Sequence, residues 1–446
     1  MAHGADADLL SVLQIAAQRG FLPAEAWACR RTVFAVAAED ATVKVHLYGD
    51  GSRDIAPHLD YSAVLRPATP AGVIGQLLRR QVASLVAEGW FSSATVLPLP
   101  SSLKSLKLVS VRGGFDTSSL PPSLTSLAVH ISSVQFYGGV EDVDTRQAQL
   151  AALVAAAPPT LASLELDCFR MESLPQPLKL PSKLRELTLL RYHEFWDSDA
   201  RPIGDTVLPS TLDTLTLEAY IIGPDLQLPS DLRTLHLLDC SLPWRTENGH
   251  PVLALPPHIE HLRITCEPDQ EEYGFDGSLG PLPLSLRTMV IDHPEAAVLQ
   301  PLPPCLEALE LRDWRKRQRL YDALATSGGG TLQRLTLTGR SPRGSLRSAI
   351  GPLPAALTHF TCWLEGGEDD EDEDEEEEES GGGSDAQLPL LPQGLQELRI
   401  NGVALPAVLP ASLRLVRLGT DVDMSALEES LDVPGRRVEV GCTAHN

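Results

Sequence analysis

The side chains whose types could carry chemistry here are His236, His261, His359, Arg263, Arg312, Glu310, Trp363, seven cysteines and an unbroken run of twelve acids at 368–379. Three imidazoles could ligate a metal, a cysteine could attack a carbonyl, and paired carboxylates could serve as general acid and base. Spacing rejects these readings. The cysteines stand singly at 29, 168, 240, 266, 305, 362 and 442, with no C-x-x-C pair and no His/Cys cluster at zinc spacing. His236 and His261 lack a supporting carboxylate pattern, so no metal residues are assigned. Consecutive solvated carboxylates have neither a shifted pKa nor a fixed geometry. No phosphate-binding loop, nucleophile elbow or H-E-x-x-H occurs, and Gly328, Gly329 and Gly330 read as a turn. The expectation is no enzyme, with no catalytic residue and no cofactor. Arg and Trp are frequent interface anchors, so the seven residues named first are candidates for protein binding.

The elements that must position them follow from one recurring frame. In residues 228–242, LPSDLRTLHLLDCSL, Leu232, Leu235, Leu237, Cys240 and Leu242 recur at fixed offsets behind a Leu-Pro pair. The frame L-P-x-x-L-x-x-L-x-L returns about thirteen times between Leu99 and Leu418, mostly at intervals of 20 to 28 residues. Its L-x-L core alternates apolar with polar, as a short strand does when one face is buried. Stacked in parallel, such strands pool their leucines on one side and show the intervening residues on the other. The middle exposed column then includes Lys107, Glu165, Thr216, His236, Arg263, Glu310, Thr336, Arg399 and Arg417. Proline before the first leucine suits an extended lead-in.

This frame resembles the leucine-rich repeat, and LPSSLKSLKL at 99–108, LPPSLTSL at 120–127 and LPSTLDTL at 208–215 are similar to its LP-x-x-L subclass. That subclass includes FNIP repeats and the repeats of bacterial secreted ubiquitin ligases. The resemblance implies a solenoid with a parallel concave sheet that recognises a protein. One place departs from it: where the pattern has asparagine, this chain has Val111, Ser132, Phe169, Tyr192, Tyr220, Cys240 and Trp314. No asparagine ladder can form, so other groups must satisfy the turn after each strand. Cys240, in that interior place, reads as a buried structural thiol.

Two intervals are longer and hold insertions. The first, near 141–157, keeps helical spacing at Val143, Leu150, Leu153 and Val154 before Pro158; the second contains the acidic run and SGGGSD. Like charges at that density have nothing apolar to bury, so 366–386 is expected to be an acidic disordered insertion. A further helix is expected over 313–326.

Upstream of the frame, residues 1–96 read as helical: a segment from Asp8 to Gly20, a second from Pro23 through Trp27, Cys29, Val33, Phe34 and Ala37, and a third from Pro70 to Gly89. Residues 8–48 include Asp8-Leu9-Leu10, FLPAEAWACRRTVFAVAAED at 21–40 and VHLY at 45–48. They resemble a degenerate F-box, the helical module that docks onto the adaptor subunit of SCF ubiquitin ligases. The opening Leu-Pro of that module is absent, and Val45-His46 stands where it has Trp. The alternative is a cap over the first repeat.

The formal net charge of -24 falls to -12 without the acidic run, which argues against nucleic-acid binding. Single cysteines suit a reducing compartment, and no stretch of about 18 apolar residues suggests a membrane span. The sequence therefore predicts an α/β fold: a helical N-terminal region or cap at 1–96, a leucine-rich repeat solenoid at 97–418, and a C-terminal cap at 419–446 with a last strand over 437–440. The expected function is a cytoplasmic or nuclear interaction scaffold with an unknown protein partner, acting as an F-box-type substrate receptor through 8–48. The alternative is a plain structural or binding module with no ubiquitin link.

Overall fold

The computed structural model describes residues 31–38, 41–48, 60–65, 82–88, 99, 101–109, 120–130, 143–167, 178–191, 203, 207–223, 226–240, 254–265, 281–292, 302–312, 324, 330–340, 350–365, 388–403, 405–406, 408–419 and 434–441. The chain divides into two compact units, 1–192 and 193–446. Parallel strands recur through both, and in the first they follow an antiparallel opening.

In the first unit β1 (Arg31–Ala38) and β2 (Ala41–Tyr48) form an antiparallel hairpin, and β2 pairs antiparallel with β3 (Asp60–Leu65). From there pairing is parallel through β4 (Val82–Glu88), β5 (Ser105–Val109), β6 (Ser126–His130), β7 (Ser163–Asp167) and β8 (Glu186–Leu190). Helix α1 (Val143–Ala155) fills the first insertion and buries Leu150, Leu153 and Val154. The second unit is parallel from β9 (Thr214–Glu218) through β10 (Thr234–Leu238), β11 (His261–Thr265), β12 (Thr288–Asp292), β13 (Ala308–Arg312) and β14 (Arg334–Arg340). It continues through β15 (His359–Glu365), β16 (Glu397–Asn401), β17 (Leu415–Leu418) and β18 (Arg437–Val440).

Register is what makes the interior. Leu215, Leu235, Leu262, Met289, Leu309, Leu335, Phe360, Leu398 and Val416 align strand to strand, each at most 1% exposed. Burying one such side chain contributes roughly 1.5–3 kcal/mol. A one-residue slip would turn every one of them to solvent, so the alternation fixes the pairing.

The proline acts differently from the extended lead-in expected. Its carbonyl accepts the amide N–H of the first leucine three residues on, as in Leu124 to Pro121 (3.1 Å), Leu232 to Pro229 (3.2 Å) and Leu413 to Pro410 (3.1 Å). The motif L-P-x-x-L is thus a closed turn. The residue before that leucine is often Ser or Thr, and its hydroxyl reaches into the preceding repeat. Ser285 Oγ lies 2.7 Å from the Ile259 carbonyl and 2.8 Å from that of Pro257; Thr160, Thr331 and Ser412 do the same one repeat apart. At β18 the guanidinium of Arg436 takes over, donating to the Pro410 and Leu413 carbonyls. This hydroxyl ladder ties successive repeats together ahead of the strands.

The turn after the strand has its own solution. Ala219, Asp239 and Gly402 occupy one repeat position and have left-handed backbone, φ 60°, 52° and 67°. At Gly402 a Cβ would lie 2.3 Å from the Leu364 carbonyl oxygen, so only glycine fits there. The following residues, Tyr220, Cys240 and Val403, are buried, and Cys240 Sγ donates to the Leu217 carbonyl at 3.4 Å.

Two expectations for 1–96 are corrected. Residues 31–38 form a strand in place of the second helix: Thr32, Phe34 and Val36 stand in register with Leu47, Val45 and Val43 of β2, in a segment rich in β-branched and aromatic residues. Residues 82–88 form β4 in place of the end of the third helix. Ser84 and Leu85 align with Ser105 and Leu106, so the repeat begins one strand earlier than residue 97. The signal was present: Leu85, Leu106 and Leu127 are evenly spaced, each behind a serine. The helix expected over 8–20, that over 313–326 apart from Leu324, and the insertion 366–386 lie outside the described residues.

Candidate functional site

The face opposite the leucines shows three columns per strand, and register places them side by side. In the second unit the middle column runs Thr216, His236, Arg263, Val290, Glu310, Thr336, Thr361, Arg399, Arg417 and Glu439. All but the last were legible in the frame.

Of the seven candidates, the structure brings together His236, His261 and Arg263. His236 is the direct neighbour of Arg263 across β10 and β11, and His261 sits two residues before Arg263 on the same face. His261 Nδ1 lies 2.8 Å from Thr288 Oγ1, which holds its ring. Burial, then the charges of Arg263 and His261, push the His236 pKa below its ordinary value of 6.5. Arg263 is half-buried and its Nε is shielded from solvent with no hydrogen-bond partner.

Glu310 and Arg312 form a second group. Arg312 Nε donates to Glu310 at 2.6 Å and lies 3.7 Å from Asp292. Burial opposes the Arg312 charge, but the hydrogen bond from Arg312 to Glu310 and the two carboxylate charges outweigh it, so its pKa is raised.

The last two candidates stand apart on β15, four strands from β11 and about 19 Å away at the usual strand spacing. His359 is exposed, with Nε2 3.8 Å from Glu397 and Nδ1 2.9 Å from Thr358 Oγ1. Trp363 is corrected: at 8% exposure, between Thr338 and Asn401, it is a core residue and offers no open anchor. Alternation put Trp363 on the open face, but the fold buries it.

Two groups escaped the sequence reading. Across β16 to β18, Arg399 pairs with Glu397 at 2.7 Å, and Arg417 with Glu439 at 2.6 Å and Glu397 at 3.9 Å. The hydrogen bond from Arg417, with the charges of Arg417, Arg437 and Arg399, holds the Glu439 carboxyl below its ordinary value. In the first unit His130 Nε2 lies 2.5 Å from Glu165 and Nδ1 3.9 Å from Asp167. Acidic residues two apart on one strand beside a histidine on the next were the available signal. Along the lead-in edge Arg233, Glu260, Arg287 and Glu307 alternate in sign across β10 to β13, with contacts of 2.9 Å at each end.

Among the described residues no group of three His, Cys, Asp or Glu could hold a metal ion, and no helix is long and apolar enough to cross a membrane. Cys240 and Cys362 are buried thiols outside any disulfide, and Cys305 is an exposed one. Burial pushes the Cys362 thiol up to about 12, which removes it as a nucleophile near neutral pH. No protein-family profile and no curated protein matches the chain.

Proposed function

We propose that this chain is a leucine-rich repeat protein whose open strand face binds a protein partner inside the cell, a scaffold and not an enzyme. The observation that carries this reading is the in-register column from Thr216 to Glu439, a polar strip assembled from successive repeats. A continuous strip of strand residues over a rigid leucine interior lets a partner make many contacts without ordering loops. It includes Thr216, Thr336 and Thr361, whose short branched side chains lose little freedom on contact. Thiols at 240, 305 and 362 that form no disulfide suit a reducing compartment. We do not extend the proposal to adaptor docking, because residues 31–48 form an antiparallel hairpin where an F-box would need helix.

A photo-crosslinking residue placed at Thr336 or Thr361 in the native cell should give discrete protein adducts, and the same residue at the exposed Gln396, before β16, should not. Adducts from Gln396 alone would assign binding to another surface.

A further inference from the structure

On β10 and β11 the open face carries His236, His261 and Arg263 with no acid among them. The positions directly flanking the His236–Arg263 pair are Thr216 on β9 and Val290 on β12, neither charged. The nearest acids by register, Glu218 on β9 and Asp292 on β12, both stand two residues further along, diagonal to the pair. Asp292 already lies 3.7 Å from Arg312.

Arg263 is the exception among the half-buried arginines of this face. Arg312, Arg399 and Arg417 each donate Nε to a carboxylate within 2.7 Å. Arg263 makes no hydrogen bond or ion pair with a described residue, and its Nε–H is held out of water without an acceptor. A shielded donor left unpaired is costly, and the cost disappears when a ligand brings the acceptor. The guanidinium is a planar fork that matches a carboxylate through two parallel hydrogen bonds. Beside it, when the Thr288 hydroxyl donates to His261 Nδ1, that ring keeps its proton on Nε2 as a further donor.

We propose that Arg263, with His236 and His261, anchors the carboxylate of a glutamate or aspartate presented by the protein partner. This rests on the open face being the binding surface. Net charge decides the source of the anion. A chain of -24 carrying twelve consecutive acids repels polyanions, whereas one carboxylate among uncharged neighbours meets the patch with little of that repulsion. The threonines on both sides, Thr216 and Thr288, leave room for such a segment to lie flat.

Proton linkage gives a signature. The groups facing His236 are Glu218 on β9 and Arg263 and His261 on β11; burial, then the Arg263 charge, disfavours its proton. A bound carboxylate offsets the Arg263 charge, so His236 takes up a proton on binding, and affinity rises as pH falls.

The test is a titration of the full-length protein, carrying carbon-13 histidine, with N-acetylglutamate amide, N-acetylglutamine amide and inorganic phosphate as probes. His236 and His261 signals, assigned through His236→Gln and His261→Gln, should shift saturably with the glutamate probe, and the His236 titration should move to higher pH. The glutamine probe should shift neither. Arg263→Gln should weaken the glutamate effect at least tenfold, and Arg263→Lys, which keeps charge but loses the fork, should give an intermediate loss with unchanged folding. Absence of a saturable shift, an equal response in Arg263→Gln, or a response to phosphate alone overturns the assignment. If Thr336 crosslinks a partner while the glutamate probe fails, the face binds but this anchor falls. If the probe binds while crosslinking comes only from Gln396, the scaffold reading falls and the anion site stands.

Discussion

The β16–β18 end of the open face and its β10–β11 portion carry the same kind of residue to opposite effect. Arg399 and Arg417 have Glu397 and Glu439 beside them at 2.6–2.7 Å, so their charges are spent inside the fold. Arg263 has a histidine on one side and a valine on the other, and its Nε finds no acceptor. Both rows stand on the same leucine floor. A charge on a strand face is therefore structural or available according to whether an acid stands beside it, on its own strand as at Arg399 or on the next as at Arg417, and residue type alone does not tell which.

The largest expected effect tests the shared floor. Leu235→Ala and Leu398→Ala, both fully buried, should each cost about 2–5 kcal/mol in urea unfolding, and by similar amounts. A much smaller cost at Leu235 would mean that the β10–β11 interior is looser, and the contrast would then lie in packing.

Next in size is the charge contrast itself. Glu397→Gln removes the acceptor of Arg399 and a neighbour of Arg417 and His359, and should cost about 1 kcal/mol, as a partly exposed pair does. Arg263→Met keeps the apolar stem, loses no partner and removes the shielded donor, so it should not destabilise the fold and should raise stability by up to about 1 kcal/mol. Equal losses would make Arg263 a structural residue.

The smallest effect separates the two regions by pH. His236 has a lowered folded pKa, so the stability it contributes is complete above the ordinary histidine value of 6.5 and is lost as pH falls below it. Glu439 also has a lowered folded pKa, and its contribution is complete above 4.5 and lost as pH falls further. Unfolding midpoints measured from pH 8 to 3 should show His236→Gln flattening the upper window alone and Glu439→Gln the lower alone. Arg263→Met should lessen the upper loss, since it removes the second cause of the His236 shift.

Much of this architecture was open to reading before any coordinates. The Leu235/Leu237 alternation and its repetition identified the buried rows, and counting offsets aligned His236 with Arg263 and Arg399 with Arg417. Strand β4 was missed because Val82, Leu85 and Val86 also satisfy a helical spacing, and short apolar runs do not separate the two periods. The hairpin at 31–48 was missed because Pro23 suits a helix start and Trp27, Val33, Phe34 and Ala37 also admit a helical reading. Trp363 was misplaced because alternation tells which side of the sheet a residue leaves from, but not whether neighbours close over it.

What the sequence determined by itself is the set of columns, since a period of two within each strand and a recurring frame between strands leave one register that buries the leucines. What only tertiary structure decided is pairing along those columns. Arg417 meets Glu439 at 2.6 Å and Arg263 meets no acid, although both are arginines in the same repeat position. An ion pair depends on angstrom-scale distance and rotamer between residues some twenty positions apart, and a repeat pattern specifies neither.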